Sequence, residues 1–152
     1  MKLPALDFRV RCSAGVFCVA VLALQVVAAT PVSFVVTSDL HYGLNRSQFR
    51  GAANVAAVEV NAALADAINA LPRVTLPADD GVAAGQVVGA VEFVAVTGDI
   101  ANRQEAVPLR IQPAAASWAQ FEQSFAQRLS LRTSSGAVTP LMVVPGNHDL
   151  SN

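Results

Sequence analysis

The sequence predicts an α/β fold with parallel strands, in the order strand, helix, strand, helix, strand. Three observations predict it. Nearly continuous apolar runs rich in β-branched residues occupy residues 31–38, 91–97 and 140–144, the pattern of strands buried on both faces. Longer stretches with apolar residues at helical spacing separate them, and helical crossovers between buried strands imply parallel pairing. Each run stops at a turn bearing carboxylate, imidazole or carboxamide side chains. In open α/β sheets ligands collect beyond the carboxyl ends of the strands.

The chain has 152 residues and a formal net charge of −1, room for one domain. Residues 1–29 read as a signal peptide: Lys2, Arg9 and Arg11 precede an apolar stretch that ends in Val27-Ala28-Ala29 before Thr30. The expected location is therefore exported, periplasmic or extracellular, and cleavage would leave no membrane span. The alternative is an anchor through an uncleaved N-terminal segment, since the apolar run is near the lower limit for a spanning helix. Cys18 follows Val16-Phe17 rather than small residues, which excludes a lipoprotein site.

Cys12 and Cys18 both lie in this leader, so residues 30–152 can form neither disulfides nor thiolate metal sites. These residues carry seven arginines, no lysine and ten acids. Without a basic run there is no electrostatic footprint for nucleic acid.

The first strand, residues 31–38, ends at Asp39-Leu40-His41. Residues 45–71 read as one long helix, capped by Asn45 or Ser47, with an apolar stripe at Val55, Val58, Ala62, Ala65, Ile68 and Leu71. Pro72 ends it. Residues 72–89 are punctuated by Pro77, Gly81, Gly85 and Gly89 and form a loop, in which Asp79 and Asp80 are turn residues without chemistry. The second strand, residues 91–97, ends at Gly98-Asp99. Residues 114–131 form the second helix, with Trp118, Phe121, Phe125 and Leu129 as a core-facing stripe. Ser134-Ser135-Gly136 is a turn, and the third strand, residues 140–144, ends at Gly146-Asn147-His148-Asp149.

The three clusters share one grammar. Just past a strand, residues i and i+2 point the same way, so Asp39 and His41 can converge on one ion. Gly98 permits close approach of backbone, and the two oxygens of Asp99 can bridge two ions. Asn147 offers a neutral oxygen ligand, His148 can bind metal or move a proton, and Asp149 can orient that imidazole. His41 and His148 are the two histidines of the chain, and both fall inside these clusters.

Ser38-Asp39-Leu40-His41, Thr97-Gly98-Asp99-Ile100-Ala101-Asn102 and Val144-Pro145-Gly146-Asn147-His148-Asp149 resemble, in order, the first three signature blocks of the calcineurin-like metallophosphoesterases. The resemblance implies the N-terminal half of a metallophosphoesterase-type α/β sandwich and metal-dependent hydrolysis of phosphoesters. It implies two divalent ions: Asp39 and His41 on the first, Asp99 bridging both, Asn147 on the second. His148 would be the catalytic histidine, with Asp149 holding it. Oxygen and imidazole donors without thiolate suit Mn, Fe or Zn. The related purple acid phosphatases have a metal-binding tyrosine three residues after the Gly-Asp aspartate, where this chain has Asn102.

Family members carry further histidine blocks, including a late Gly-His-x-His, that complete both metal shells, whereas no histidine follows His148 here. The expectation is thus a metallophosphoesterase domain over residues 30–152, truncated at its C-terminus, with an incomplete second metal site and apolar faces lacking partners. Such a fragment would be inactive alone. The alternatives are a non-catalytic remnant and an interaction module retaining the α/β scaffold. Monoesters, diesters, nucleotides and phospholipids all remain open as substrates. Arg46 and Arg50 are candidates to reach a substrate phosphate, but the favoured reading is a solvated helix face, since isolated surface arginines are common.

Overall fold

The computed structural model describes residues 31–102 and 112–150; the signal peptide expected at residues 1–29 lies outside them. In chain order the elements are β1 (Val35–Thr37), β2 (Asn45–Phe49), β3 (Ala52–Ala56), α1 (Ala57–Ala70), β4 (Val94–Val96), α2 (Ala114–Phe121), β5 (Leu141–Val143) and the single turn α3 (Asn147–Leu150). β1, β4 and β5 form a parallel sheet with β4 in the middle. Both crossovers contain a helix, α1 before β4 and α2 before β5, as the alternation of patterns predicts.

One face of this sheet builds the core. Val94 and Val96 of β4 are buried with Ala65 and Ile68 of α1, Phe121 and Phe125 of the second helical segment, and Leu131 beyond it. Phe121 stacks on Phe125 at 5.6 Å, and the half-exposed Trp118 meets Phe121 edge-on at 5.7 Å. The aromatic stripe is core packing, as its spacing predicts. α2 runs on through one wide turn, Glu122–Ala126, so the second helix is shorter than the expected 114–131. The remainder leaves helical geometry, with Leu131 buried and Arg132 bridged antiparallel to Val138.

The opposite face carries the register row Val36, Ala95 and Met142. Phe34, Val36, Met142 and Val144 are exposed there, and Phe34 stacks on Phe93 at 4.7 Å. The first strand therefore differs from the expectation of a strand buried on both faces. Among the described residues β1 is an edge strand with one covered face.

A larger difference concerns residues 45–56, expected to be helical. They form an antiparallel hairpin, β2 against β3, in which Phe49 pairs with Ala52 across the two-residue turn Arg50-Gly51. Arg50 has φ +50° and Gly51 φ +85°. Left-handed geometry at both central residues is the turn whose twist matches that of the strands it joins. Arg-Gly is not the usual Asn-Gly signal, and the small residues after it read equally well as helix. α1 consequently starts twelve residues later than expected, at Ala57, with Ala56 rather than Asn45 or Ser47 at its N-cap and no side-chain cap. Its buried face is Ala57, Asn61, Ala65 and Ile68. The loop after it behaves as predicted: Asp79 accepts the Gly81 N–H within a turn.

The two helices are also tied at the surface. Arg128 donates to both oxygens of Asp66, at 2.6 and 2.7 Å, which holds that carboxyl below its ordinary pKa. Asn69 donates to the Arg128 carbonyl and accepts from Ser130 N–H. Solvent screens such exposed pairs, so they align the helices more than they stabilise them. No helix among the described residues is long and apolar enough to cross a membrane.

The hairpin turn makes a direct test. A Cβ at position 51 meets no atom within 4 Å, so Gly51→Ala adds only the cost of a left-handed alanine. Urea unfolding should show a loss of about 1–2 kcal/mol; an unchanged midpoint would contradict this turn geometry.

Candidate metal centre

The ladder between β1 and β4 continues past the strand ends into the loops. Asp39 N–H donates to the Gly98 carbonyl at 3.1 Å, His41 N–H to Asp99 at 2.8 Å and Tyr42 N–H to Ile100 at 2.8 Å. The first two clusters therefore lie side by side along their backbones. Asp39, His41 and Asp99 all have left-handed φ, at +58°, +44° and +55°. Such conformations cost about 1–3 kcal/mol each and gather at functional sites, where surrounding contacts impose them.

Those contacts come from residues between and behind the ligand candidates. Leu40 and Tyr42, flanking His41, are fully buried in the core. Asn61, buried on α1, donates to the Leu40 carbonyl at 2.9 Å. Ser117, buried on α2, donates to the Tyr42 carbonyl at 3.1 Å. The Tyr42 hydroxyl lies 2.8 Å from Ser124 Oγ, which itself donates to the Gln120 carbonyl, so Tyr42 is the donor of the pair. Burial pushes its phenol pKa up and keeps it protonated. Both helices thus grip the loop that presents His41.

The third cluster arrives through a crossing of two glycines. A Cβ on Gly98 would collide with the backbone of Gly146, and one on Gly146 with the carboxylate and backbone nitrogen of Asp99. Only glycine allows so close an approach. Asp149, 8% exposed, fastens the crossing. Its carboxylate accepts N–H groups from Ala101 at 2.7 Å, Gly146 at 2.8 Å and Ile100 at 3.3 Å. The sequence suggests that Asp149 orients the His148 imidazole; in the structure its oxygens clamp three backbone amides. The ring nitrogen Nδ1 of His148 lies 2.8 Å from the Asn102 carbonyl. A carbonyl can only accept, so Nδ1 carries the hydrogen of this bond. His148 N–H in turn donates to Asp99 Oδ1 at 2.9 Å.

The donors converge. One ligand atom from each of His41, Asp99 and His148 lies within 4.8 Å of the others, and the two imidazoles meet edge-to-face at 4.9 Å. Asp39 Oδ1 lies 3.6 Å from His41 Nε2, while its carboxylate is largely exposed and accepts from Ser38 Oγ. The other nitrogen of His41, Nδ1, is buried without a hydrogen-bond partner, a costly state for a polar atom. Asn147 opens α3 between Gly146 and His148 and is exposed. Imidazole nitrogens and carboxylate oxygens without thiolate form a donor set that fits a divalent transition metal.

The sequence reading missed the contribution of Asn102, which acts through its main-chain carbonyl and leaves no side-chain signature. Asn61 was legible in principle: an amide inside the apolar stripe of a helix signals a buried hydrogen bond.

A parallel sheet whose strand-end loops gather imidazole and carboxylate donors defines an α/β protein with a candidate metal site. The profile of the calcineurin-like phosphoesterases matches residues 32–152, and the chain belongs to that family, whose members are metal-dependent phosphoester hydrolases. No curated relative and no solved structure matches the chain.

Gly146→Ala tests the crossing. Displacing Asp99 should destabilise the chain by about 1–3 kcal/mol in urea unfolding, and should weaken divalent-metal binding as well. Wild-type stability and metal affinity in this variant would refute the close approach.

Proposed function

We propose that residues 30–152 form a two-cation centre for phosphoester hydrolysis, with Asp39 and His41 on the first cation, Asp99 bridging and Asn147 on the second. The convergence of His41, Asp99 and His148 carries this reading. When bound, the cations supply Lewis acidity toward phosphoryl oxygens, and Mn, Fe and Zn all suit these donors.

His148 is the proton donor to the leaving oxygen. The Asn102 carbonyl holds Nδ1 and with it the ring, and Nε2 is the nitrogen assigned to proton exchange. Asp149 acts through the backbone, keeping the Gly146 and Ile100-Ala101 segments, and with them His148 and Asp99, at fixed spacing. Asp99 and Asn147 give the second cation two protein ligands, whereas catalytic ions usually have at least three. That count favours metal binding with little turnover by this chain alone, and the second reading, a non-catalytic metal-binding remnant, rests on it too.

Manganese at about 100 times its Kd should raise the unfolding free energy by about 2.7 kcal/mol, and Asp99→Ala should abolish the rise. No stabilisation by Mn²⁺, Fe²⁺ or Zn²⁺ would sink the metal-centre reading. With p-nitrophenyl phosphate and bis-p-nitrophenyl phosphate the expected turnover is slight. Robust hydrolysis lost in both Asp99→Ala and His148→Ala would show instead that these ligands suffice.

The N-terminal pattern supports export by way of a cleaved signal. N-terminal sequencing of the secreted product should begin at Thr30; an intact Met1 in a membrane fraction would favour the anchored form.

A further inference from the structure

A groove of about 350 Å³ opens between α1 and the β2–β3 hairpin and reaches Asp39 at one end. Its floor is apolar, with Phe49, Val60, Ala63 and Leu64 among the lining residues, and Arg46 and Arg50 contribute its cationic side. Arg46 is anchored by a 3.0 Å hydrogen bond from Nη2 to the Asp39 carbonyl. Arg50 lies over the Phe49 ring, 5.1 Å from its centroid, a packing that holds a guanidinium in place. The groove thus joins an apolar bed, two positioned cations and a proposed metal ligand.

We infer that this groove is the subsite for the organic part of the substrate: it takes the aryl or short alkyl group of a phosphoester whose phosphate lies at the Asp39, His41 and Asp99 end. This rests on the hydrolase reading above and narrows it to esters of apolar alcohols. The volume is adequate, since an engineered apolar cavity of about 150 Å³ holds benzene. The arrangement also follows the general form of a small-molecule site, an apolar lining with a few convergent polar groups. A polar sugar would bury hydroxyls against Phe49, Val60 and Leu64 without partners, which disfavours it. Arg46, anchored on the Asp39 carbonyl, balances the ester's anionic oxygens.

The hairpin makes this subsite. Had residues 45–56 continued α1 as a helix, Phe49 and Arg50 could not stand across from Val60 and Leu64. The residues that differ most from the sequence expectation are therefore those that shape the groove.

Binding of non-hydrolysable probes to the full chain tests the inference without requiring turnover. Phenylphosphonate should bind the Zn²⁺-loaded chain about ten-fold or more tighter than methylphosphonate, the scale expected when a ring leaves water. Ala63→Phe, which fills the groove from α1, should remove the preference and leave methylphosphonate binding unchanged. Equal affinity of the wild-type chain for the two phosphonates overturns the proposal, as does an aryl preference that survives Ala63→Phe. Benzyl alcohol separates the groove from the metal reading, because it carries no phosphorus. If Zn²⁺ alters neither phosphonate's affinity, yet benzyl alcohol shifts the methyl NMR signals of Val60 and Leu64 in wild type only, the groove stands and the metal centre falls. If benzyl alcohol shifts neither signal, the groove has no apolar ligand and the proposal fails.

Discussion

The crossing of Gly98 and Gly146 is the constraint on which the site depends. Two loops from adjacent parallel strands pass in backbone contact, at a separation that no side chain would permit. Asp149 joins them by accepting amides from both sides, Gly146 on one and Ile100-Ala101 on the other. Hydrogen bonds from backbone amides to a buried carboxylate are among the stronger ones available to a protein. They place His148 on one loop beside Asp99 on the other, and the His148 amide adds its own bond to Asp99. Removing the crossing would leave the motif residues in sequence order but not in reach of one another.

The first loop is held by a different device. It has no glycine crossing; instead Leu40 and Tyr42 are sunk into the core and their carbonyls are taken by Asn61 and Ser117. His41 sits between two anchored neighbours, so its left-handed backbone is imposed from either side. The chemistry-bearing side chains alternate with packing side chains, and the packing ones hold the strained conformation. Asp39 is gripped less: its carbonyl accepts from Arg46, but its carboxylate remains largely exposed. The fold thus gathers His41, Asp99 and His148, whereas the Asp39 carboxylate stands in a solvent-facing position beside them.

The sheet itself is lopsided. Its covered face, with Val94 and Val96, packs on α1 and the second helical segment, whereas the row Val36, Ala95 and Met142 lies on the other face with Phe34 and Val144 exposed. The apolar runs read from the sequence as buried on both sides because continuous hydrophobicity records what a strand can bury, not what covers it.

By itself the sequence determined the alternation of strands and helices, the three strand-end clusters and the family, since these depend on local periodicity and on short motifs of chemically distinctive residues. It marked Gly98 as a point of close backbone approach, but not the crossing with Gly146 that the structure builds there. Only the tertiary structure decided the rest. Residues 45–56 became a hairpin because Arg50-Gly51 adopts a left-handed turn, a choice that small residues with mixed propensity leave to packing. The partner of the His148 ring became the Asn102 carbonyl, a main-chain group that every residue possesses and no sequence can single out. Asp149, adjacent to His148 in the chain, was turned to three backbone amides because the crossing of two loops, not sequence adjacency, sets which groups a buried carboxylate meets.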